Sequence, residues 1–529
     1  MSQAAAPPSA WAPLKVGAFR LLWATSLSAN VCTWMNDVAA AWLMSQLTPS
    51  PLWISMVQTA ALLPVFILGL PSGALADRWD RVTLLLGMQV WVTVNAIAFG
   101  LATFLRVLTP EILLILVFCN GVGLALRLPV LAALMPQLIP RPQLPSAMAL
   151  NAASTNASRM VGPILAGVII SAAGAEWVFA LNTLLGLVGL WALASWRHPP
   201  QRRDEAPERL QRSMRLGLQY VLHSRSLKGV LLRTVWFFLC GSALLALLPL
   251  FARQLGAGSA QTFAALMAAM GCGALILTAV LPHLRRRYGQ DALVLRGTLA
   301  LGLSTLAIAW TGSLVVAIPC MLVAGAAWIA VGNTLSVASS LGLPDWIRAR
   351  GMSVNQVALM GAGAAGATIW GQVAVWVGAA LACSMAASLL MLGIAVLVRW
   401  RPDTGSIEDL TPARADRLPE AMQPPGRGRV VMEIEYRVCA ERVDSFEAFM
   451  LNECRESRLR SGCIAWELQK DLTLPDRFVE VVVDASWQEH VRHFDRVTAS
   501  DQALRAKRLG FHAGPAGPQV RRYLQLSTL

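Results

Sequence analysis

Residues 29–43 read ANVCTWMNDVAAAWL. They lie inside an apolar run over 19–44 that carries one aspartate, Asp37. About 20 such residues cross the ~30 Å hydrocarbon core of a bilayer, and runs of this kind recur along the chain. Eleven more cover 51–75, 82–105, 110–134, 147–172, 175–196, 229–251, 259–282, 291–311, 313–341, 351–376 and 378–399. With the first they predict twelve transmembrane helices. Of the 529 residues 56% are hydrophobic and 14% charged, and the mean hydropathy is +0.54. The fold class is therefore an all-α polytopic membrane protein. The opening MSQAAAPPSAWAPLKVGAFR lacks the charged region, short apolar core and small-residue cleavage site of a signal peptide, so an uncleaved first span is expected.

The net charge of +14 is unevenly spread. From Arg429 onward 15 basic residues balance 15 acidic ones, whereas residues 1–428 hold 29 basic against 15 acidic. A nucleic-acid binder could carry such an excess, and position decides against it. The odd-numbered connections hold only Arg106 and Arg253, while the alternate ones hold Arg78, Arg81, Arg141, the cluster from Arg197 to Arg233, Arg285–Arg287, Arg348 and Arg350. By the positive-inside rule both termini and the long connection at 197–228 are cytoplasmic. No nucleic-acid partner is expected. The expected partner at this point is the lipid bilayer.

The two halves also repeat. A shift of 204 positions carries Gly69 to Gly273, Gly121 to Gly325, Pro140 to Pro344, Asn151 to Asn355, Gly162 to Gly366 and Gly167 to Gly371. Two six-helix pseudo-repeats are the architecture of a rocking transporter, with its site between them near the midplane. The expected domains are a six-helix bundle over 1–200, a cytoplasmic linker at 201–228, a second bundle over 229–401, a Pro-rich linker at 402–428 and a cytoplasmic tail over 429–529. In the tail, strand patterns at 429–438, 463–471, 477–484 and 519–525 alternate with helical ones at 441–458, 486–496 and 498–509. The order β-α-β-β-α-β predicts a small α+β ferredoxin-like domain.

Nine cysteines show no CxxC pair and no zinc-like spacing with histidine. Free thiols, no metal and no cofactor are expected. GAGAAG at 361–366 fits a dinucleotide fingerprint but follows no strand, so it is read as helix packing.

The loop GALADRWDR at 73–81 resembles motif A of the major facilitator superfamily, with Asp80 where that family usually has glycine. The resemblance implies a conformational latch made by Gly73, Asp77, Arg78 and Arg81. SRMVGPILAG at 158–167 resembles the fifth-helix antiporter signature of the same superfamily, and Gly162, Pro163 and Gly167 permit a helix bend and close packing. Across nearly its full length the chain resembles the transmembrane secretion effector branch, which includes the bacterial enterobactin exporter. The tail resembles small dimeric α/β-barrel domains, some of them cofactor-free monooxygenases. Self-association follows from that likeness, and an enzymatic role for Trp487, His490 and His493 is the minor alternative.

Asp37 shares one helix face with Thr33, Asn30 and Ser26. A charge at the centre of a membrane helix costs about 2.5–3.5 kcal/mol, so such a residue faces a polar interior. Arg127 and Arg159 are its expected cationic neighbours, and Arg127 resembles the fourth-helix arginine associated with proton coupling. Asp37, Arg127 and Arg159 are thus the coupling candidates, with a static ion pair or a sodium or substrate ligand as the alternatives for Asp37. Asn30, Thr33, Asn120, Asn151, Asn333 and Asn355 are the substrate-cavity candidates. The expected protein is an exporter of a small amphipathic organic molecule in the bacterial inner membrane. The rivals are an importer or facilitator of the same fold and a membrane-anchored enzyme or sensor acting through its tail.

Overall fold

The computed structural model describes residues 11–78, 80–196, 210–255, 259–399, 409–411, 413 and 428–525. The chain divides into two compact units. One comprises Met1–Pro207, Arg233–Ser336 and Gln356–Arg399, and the other Glu208–Leu232, Val337–Asn355 and Trp400–Leu529.

The long helices are α1 (Gly17–Leu47), α2 (Pro51–Arg78), α3 (Arg81–Phe104), α4 (Pro110–Leu138), α5 (Leu144–Ala172) and α6 (Ala175–Ser195). After the shorter α7 (Leu210–His223) come α8 (Arg225–Gln254), α9 (Ala260–Trp310), α10 (Leu314–Leu341), α11 (Arg348–Val377) and α12 (Ala379–Arg399). Local chemistry sets their ends. Thr109 caps α4 just before Pro110, accepting from the Ile112 amide at 3.4 Å. Asp80, the departure from motif A, caps α3 by accepting from the amide and hydroxyl of Thr83, both at 2.8 Å. Helix α9 breaks at Gly289 (φ 72°, ψ 170°), a backbone that a side chain rarely tolerates. The break falls between the apolar runs at 259–282 and 291–311.

Among the described residues eight helices are long and apolar enough to cross a membrane. Helices α1 and α5 are not among them. Asn30, Thr33, Asn36 and Asp37 lower the hydropathy of α1, and Asn151, Thr155, Asn156 and Arg159 that of α5. Polar residues in spanning helices turn toward the bundle interior. The protein is a mostly helical, polytopic membrane protein with a small C-terminal antiparallel sheet.

Lipid offers no hydrophobic drive for helices to associate, so small residues that let backbones approach do much of the work. Three of the four repeat-related glycine pairs do it with matching contacts. A Cβ on Gly121 would sit 2.7 Å from the Ala61 carbonyl, closing α4 on α2, and one on Gly325 would strike the Met270 carbonyl, closing α10 on α9. A Cβ on Gly162 would sit 2.5 Å from the Trp34 Cβ, where α5 packs on α1, and one on Gly366 would strike the Leu239 carbonyl, where α11 packs on α8. Gly167 and Gly371 act across the halves: Gly167 meets Ala264 of α9, and Gly371 meets Ser55 of α2. Thr59 Oγ1 adds a 3.1 Å bond to the Ala364 carbonyl across the second contact. At the same end of the bundle Arg253 Nη1 donates to the Ser45 carbonyl at 2.6 Å, joining α8 to α1.

In the second unit four strands, β1 (Arg429–Arg437), β2 (Ala465–Lys470), β3 (Arg477–Asp484) and β4 (Gln519–Gln525), form a sheet of order β2-β3-β1-β4. All neighbours are antiparallel. Helix α13 (Val443–Phe449), a π-helical turn (Met450–Cys454) and α14 (Arg455–Ser461) connect β1 to β2. Helices α15 (Trp487–Asp495) and α16 (Ala499–Leu509) connect β3 to β4. Alternate residues of β1 (Val430, Met432, Ile434 and Tyr436) are buried, and the last three join Phe446, Phe449 and Phe478 in one core.

A carboxylate is sealed into that core. Glu480, fully buried, accepts from Arg458 Nε (2.9 Å), Arg508 Nη1 (3.2 Å), the Tyr436 hydroxyl (3.0 Å) and Trp466 Nε1 (3.0 Å). Burial alone would raise its pKa, yet the two guanidiniums and these hydrogen bonds hold it near 2, below the usual 4.5. A depressed carboxylate contributes stability that is complete above its unfolded pKa and drains away as pH falls from 4.5 toward 2. Glu480→Gln leaves two partly buried guanidiniums facing a neutral amide in place of their fully buried carboxylate and is expected to destabilise the tail by about 3 kcal/mol. Limited proteolysis of the full-length protein in detergent at pH 7 checks this: cleavage within 429–525 should rise sharply in the variant.

Helix α7 belongs to this unit. Gln219 Nε2 donates to the Cys463 carbonyl at 2.8 Å, and Leu216 lies against Gly462 (φ 107°), where any side chain would collide. An alternating stack follows: Arg460 lies 5.6 Å over Tyr220, Tyr220 meets Trp346 edge-on at 5.9 Å, and Arg496 lies 4.5 Å over Trp346. Tail, α7 and the α10–α11 connection are thereby tied together. Each cation–aromatic contact contributes about 0.5–2 kcal/mol. Tyr220→Ala combined with Trp346→Ala is expected to speed tryptic cleavage after the buried Arg460 by roughly an order of magnitude, which timed digestion of the full chain measures.

Candidate functional site

The polar face of α1 organises the first half. Arg127, from α4, donates through Nη2 to the Ser26 carbonyl (3.3 Å) and to Asn30 Oδ1 (3.2 Å). Arg159, from α5, stacks over Trp34 at 5.0 Å, and its own carbonyl abuts Gly271 of α9. The structure therefore joins Asp37 to neither arginine. Asn30 and Asp37 are seven residues apart, close to two helical turns, or ~10 Å along the axis. Among the described residues Asp37 has no hydrogen bond or ion pair. Each arginine instead contacts a different turn of α1, and the three coupling candidates form no pair.

The substrate-cavity candidates separate in the same way. Thr33 and Asn120 line one small cavity inside the first half, between α1, α3, α4 and α6. Asn30 is taken by Arg127. In the second half Asn333 Oδ1 accepts from Arg285 Nη2 at 2.8 Å. Asn355 is buried, and it belongs to the second unit. Asn151 accepts through its carbonyl from the Thr155 hydroxyl at 3.1 Å, a local bond within α5. Sequence reasoning missed Asn36, Asn95, Asn182 and Gln89, which also line the cavity. The signal was present: each is a carboxamide inside an otherwise apolar span.

Of the latch candidates, Gly73, Asp77 and Arg78 lie in the last turns of α2, and their side chains fall outside the described residues. Arg81 opens α3 next to the cap Asp80. The bend candidates divide their labour: Gly162 and Gly167 pack in opposite directions from α5, on α1 and on α9, with Pro163 between them.

In the tail, His490 Nδ1 and Asp484 Oδ2 are 2.8 Å apart, and Arg522 Nε donates to His490 Nε2 at 3.0 Å. With Nε2 accepting, Nδ1 carries the proton and donates to Asp484. His493 Nδ1 lies 3.4 Å from the other Asp484 oxygen. Burial would raise Asp484, but the hydrogen bond from His490 and the His493 ring beside its other oxygen hold it well below the usual carboxylate range. Both ring nitrogens of His490 are thus occupied by protein groups. No cluster suited to a metal ion occurs among the described residues, and the nine cysteines are free.

Two sets of long helices related by an internal repeat, closed on each other through glycines and lined with polar residues on α1 and α5, define a membrane transporter. A family model described as transmembrane secretion effector matches residues 8–528, and the chain belongs to that family of the major facilitator superfamily. It is a transporter, not an enzyme. The staphyloferrin A transporter of Staphylococcus aureus is 21% identical over 279 residues, which cover 52% of this chain and 69% of that protein. Macrolide efflux protein A of Streptococcus pyogenes is 23% identical over 234 residues, covering 44% of this chain and 58% of that protein. The crystal structure of a D-xylose–proton symporter matches in fold, with TM-score 0.59 and 16% identity, over 74% of this chain and 99% of that one.

Proposed function

We propose that this protein is a secondary active exporter that moves a small amphipathic organic molecule (a siderophore, drug or metabolite) out of a bacterial cell across its inner membrane, in exchange for protons. Asp37 is the observation that carries the reading: a carboxylate on the polar face of α1, placed at membrane depth with no partner among the described residues. An acid at membrane depth without a fixed counter-ion among the described residues is suited to taking and releasing a proton as the halves rock. The likeness to a siderophore transporter and a macrolide efflux protein supports the substrate class and the outward direction. The proposed architecture has twelve spans in two six-helix halves, with both termini cytoplasmic because the arginines concentrate on that side. Arg127 and Arg159 act as positioning residues that hold α1, and Asp77, Arg78 and Arg81 form the latch at the α2–α3 connection. The strand order β2-β3-β1-β4, with helices in each crossover, supports a ferredoxin-like tail that pairs with a second copy.

Everted and right-side-out membrane vesicles test polarity and coupling together. With a pH gradient imposed, acid inside, everted vesicles carrying the protein are expected to accumulate substrate and to dissipate the gradient on its addition. Accumulation by right-side-out vesicles only with acid outside would instead make it a proton-driven importer, and transport indifferent to the gradient a facilitator.

A further inference from the structure

Four helices of the first half each bring one asparagine to the same place: Asn36 from α1, Asn95 from α3, Asn120 from α4 and Asn182 from α6. They surround a cavity of about 40 Å³ that lies within this half, not between the halves. Some of their bonding capacity is spent on backbone. Asn95 Nδ2 donates to the Leu116 carbonyl at 3.0 Å, and Asn182 Nδ2 to the Cys32 carbonyl at 3.4 Å. Two atoms are left over. Asn36 Nδ2, a donor, and Asn182 Oδ1, an acceptor, are buried without a hydrogen-bond partner among the described residues, on side chains of residues only 6% exposed.

Leaving such groups unpaired in the interior costs on the order of 1–3 kcal/mol each. The occupant must therefore both accept and donate. A bare cation would satisfy Asn182 Oδ1 and repel the amide hydrogens of Asn36, and an anion would do the reverse. Water does both, and each bound water needs roughly 10–15 Å³ and two to four polar neighbours. The cavity has room for about two or three. Thr33, which also lines it, lies one helical turn from Asp37, and Asn36 is the chain neighbour of Asp37.

We infer that the first half holds a built-in cluster of bound water at these four asparagines, and that this water exchanges protons with Asp37 inside the membrane. The carboxylate takes a proton from a cavity water, each water in turn takes one from the next and the last takes one from bulk solvent, and release runs the chain backward to bulk, so the cluster keeps its charge. The second part rests on the proton-coupling reading above, and the first does not.

Radiolytic hydroxyl-radical labelling of the full-length protein tests both, because bound water activated in place oxidises the side chain beside it. Cys32 lines the cavity, exposed Cys439 marks the solvent rate, and Cys383, fully buried, marks the dry rate. In the native chain Cys32 is expected to react within an order of magnitude of Cys439. A Cys32 rate as slow as that of Cys383 would overturn the water site without any variant having to fold. Asn36→Leu with Asn182→Leu should bring Cys32 to the Cys383 rate and cut pH-driven transport at least tenfold, while substrate exchange without a gradient continues. The smaller Asn182→Ser, which leaves room for water, should keep both. Loss of labelling with pH-driven transport intact would overturn the relay. If native transport ignores the pH gradient, the proton-coupling reading fails, and the labelling still decides the water site.

Discussion

Asp37→Asn is expected to abolish transport driven by a pH gradient, a loss of about 100-fold or more, because the carboxamide cannot exchange a proton at a site where an ionisable group is retained at a cost. The amount of protein in the membrane should stay close to native. An amide has the size of a protonated carboxyl, and no ion pair or hydrogen bond to Asp37 exists among the described residues to be broken. This separates Asp37 from its neighbours on α1. Arg127→Ala strips a donor from both the Ser26 carbonyl and Asn30 Oδ1, so it should lower folded protein together with transport. The measurement is proton-driven flux in vesicles, normalised to protein level, alongside counterflow of labelled substrate with no gradient. Full pH-driven flux in Asp37→Asn would remove the coupling role altogether. Loss of counterflow as well as driven flux would place Asp37 on the substrate instead.

Gly167→Leu is expected to reduce transport by at least an order of magnitude while the chain still inserts and folds. A Cβ at this position already strikes Ala264 of the other half, and a leucine cannot be accommodated without parting α5 from α9. Overpacking of a tight contact commonly costs about 1–3 kcal/mol, enough to turn an evenly balanced two-state equilibrium several-fold to over a hundredfold toward the state in which this contact is open. Gly371→Leu should act in the same direction, since its repeat-related contact with Ser55 of α2 closes the same end of the halves. Gly87, with open space around it, serves as the control: Gly87→Leu should leave flux near native. Cysteine accessibility from each side of the membrane reads the trapped state. Unchanged flux in both Gly167→Leu and Gly371→Leu would mean that these contacts do not open during transport.

The fold was legible because each determinant is local and periodic. Apolar runs of membrane length placed the helices within a few residues of where they lie, and alternation in 429–438 and 477–484 placed β1 and β3 almost to the residue. The glycines spaced 204 apart announced pairs of contacts, and Gly121 with Gly325, and Gly162 with Gly366, make them. Helix α7 was not legible: 201–228 reads as a charged linker, and its helix is stabilised by contacts with Cys463 and Gly462, hundreds of residues away in sequence.

The site divides along the same line. Sequence alone determined that α1 carries a carboxylate on a polar face, since helical spacing is a property of the chain. Which cation faces which turn of that helix was decided only by tertiary structure, because it depends on how α4 and α5 are rotated against α1. That rotation gives Arg127 to Asn30, stacks Arg159 on Trp34 and leaves Asp37 without a partner among the described residues. The convergence of Asn36, Asn95, Asn120 and Asn182 was likewise beyond the sequence. Each asparagine alone looks like an isolated polar residue in an apolar span, and only the packing of four helices turns their unspent hydrogen bonds toward a common cavity.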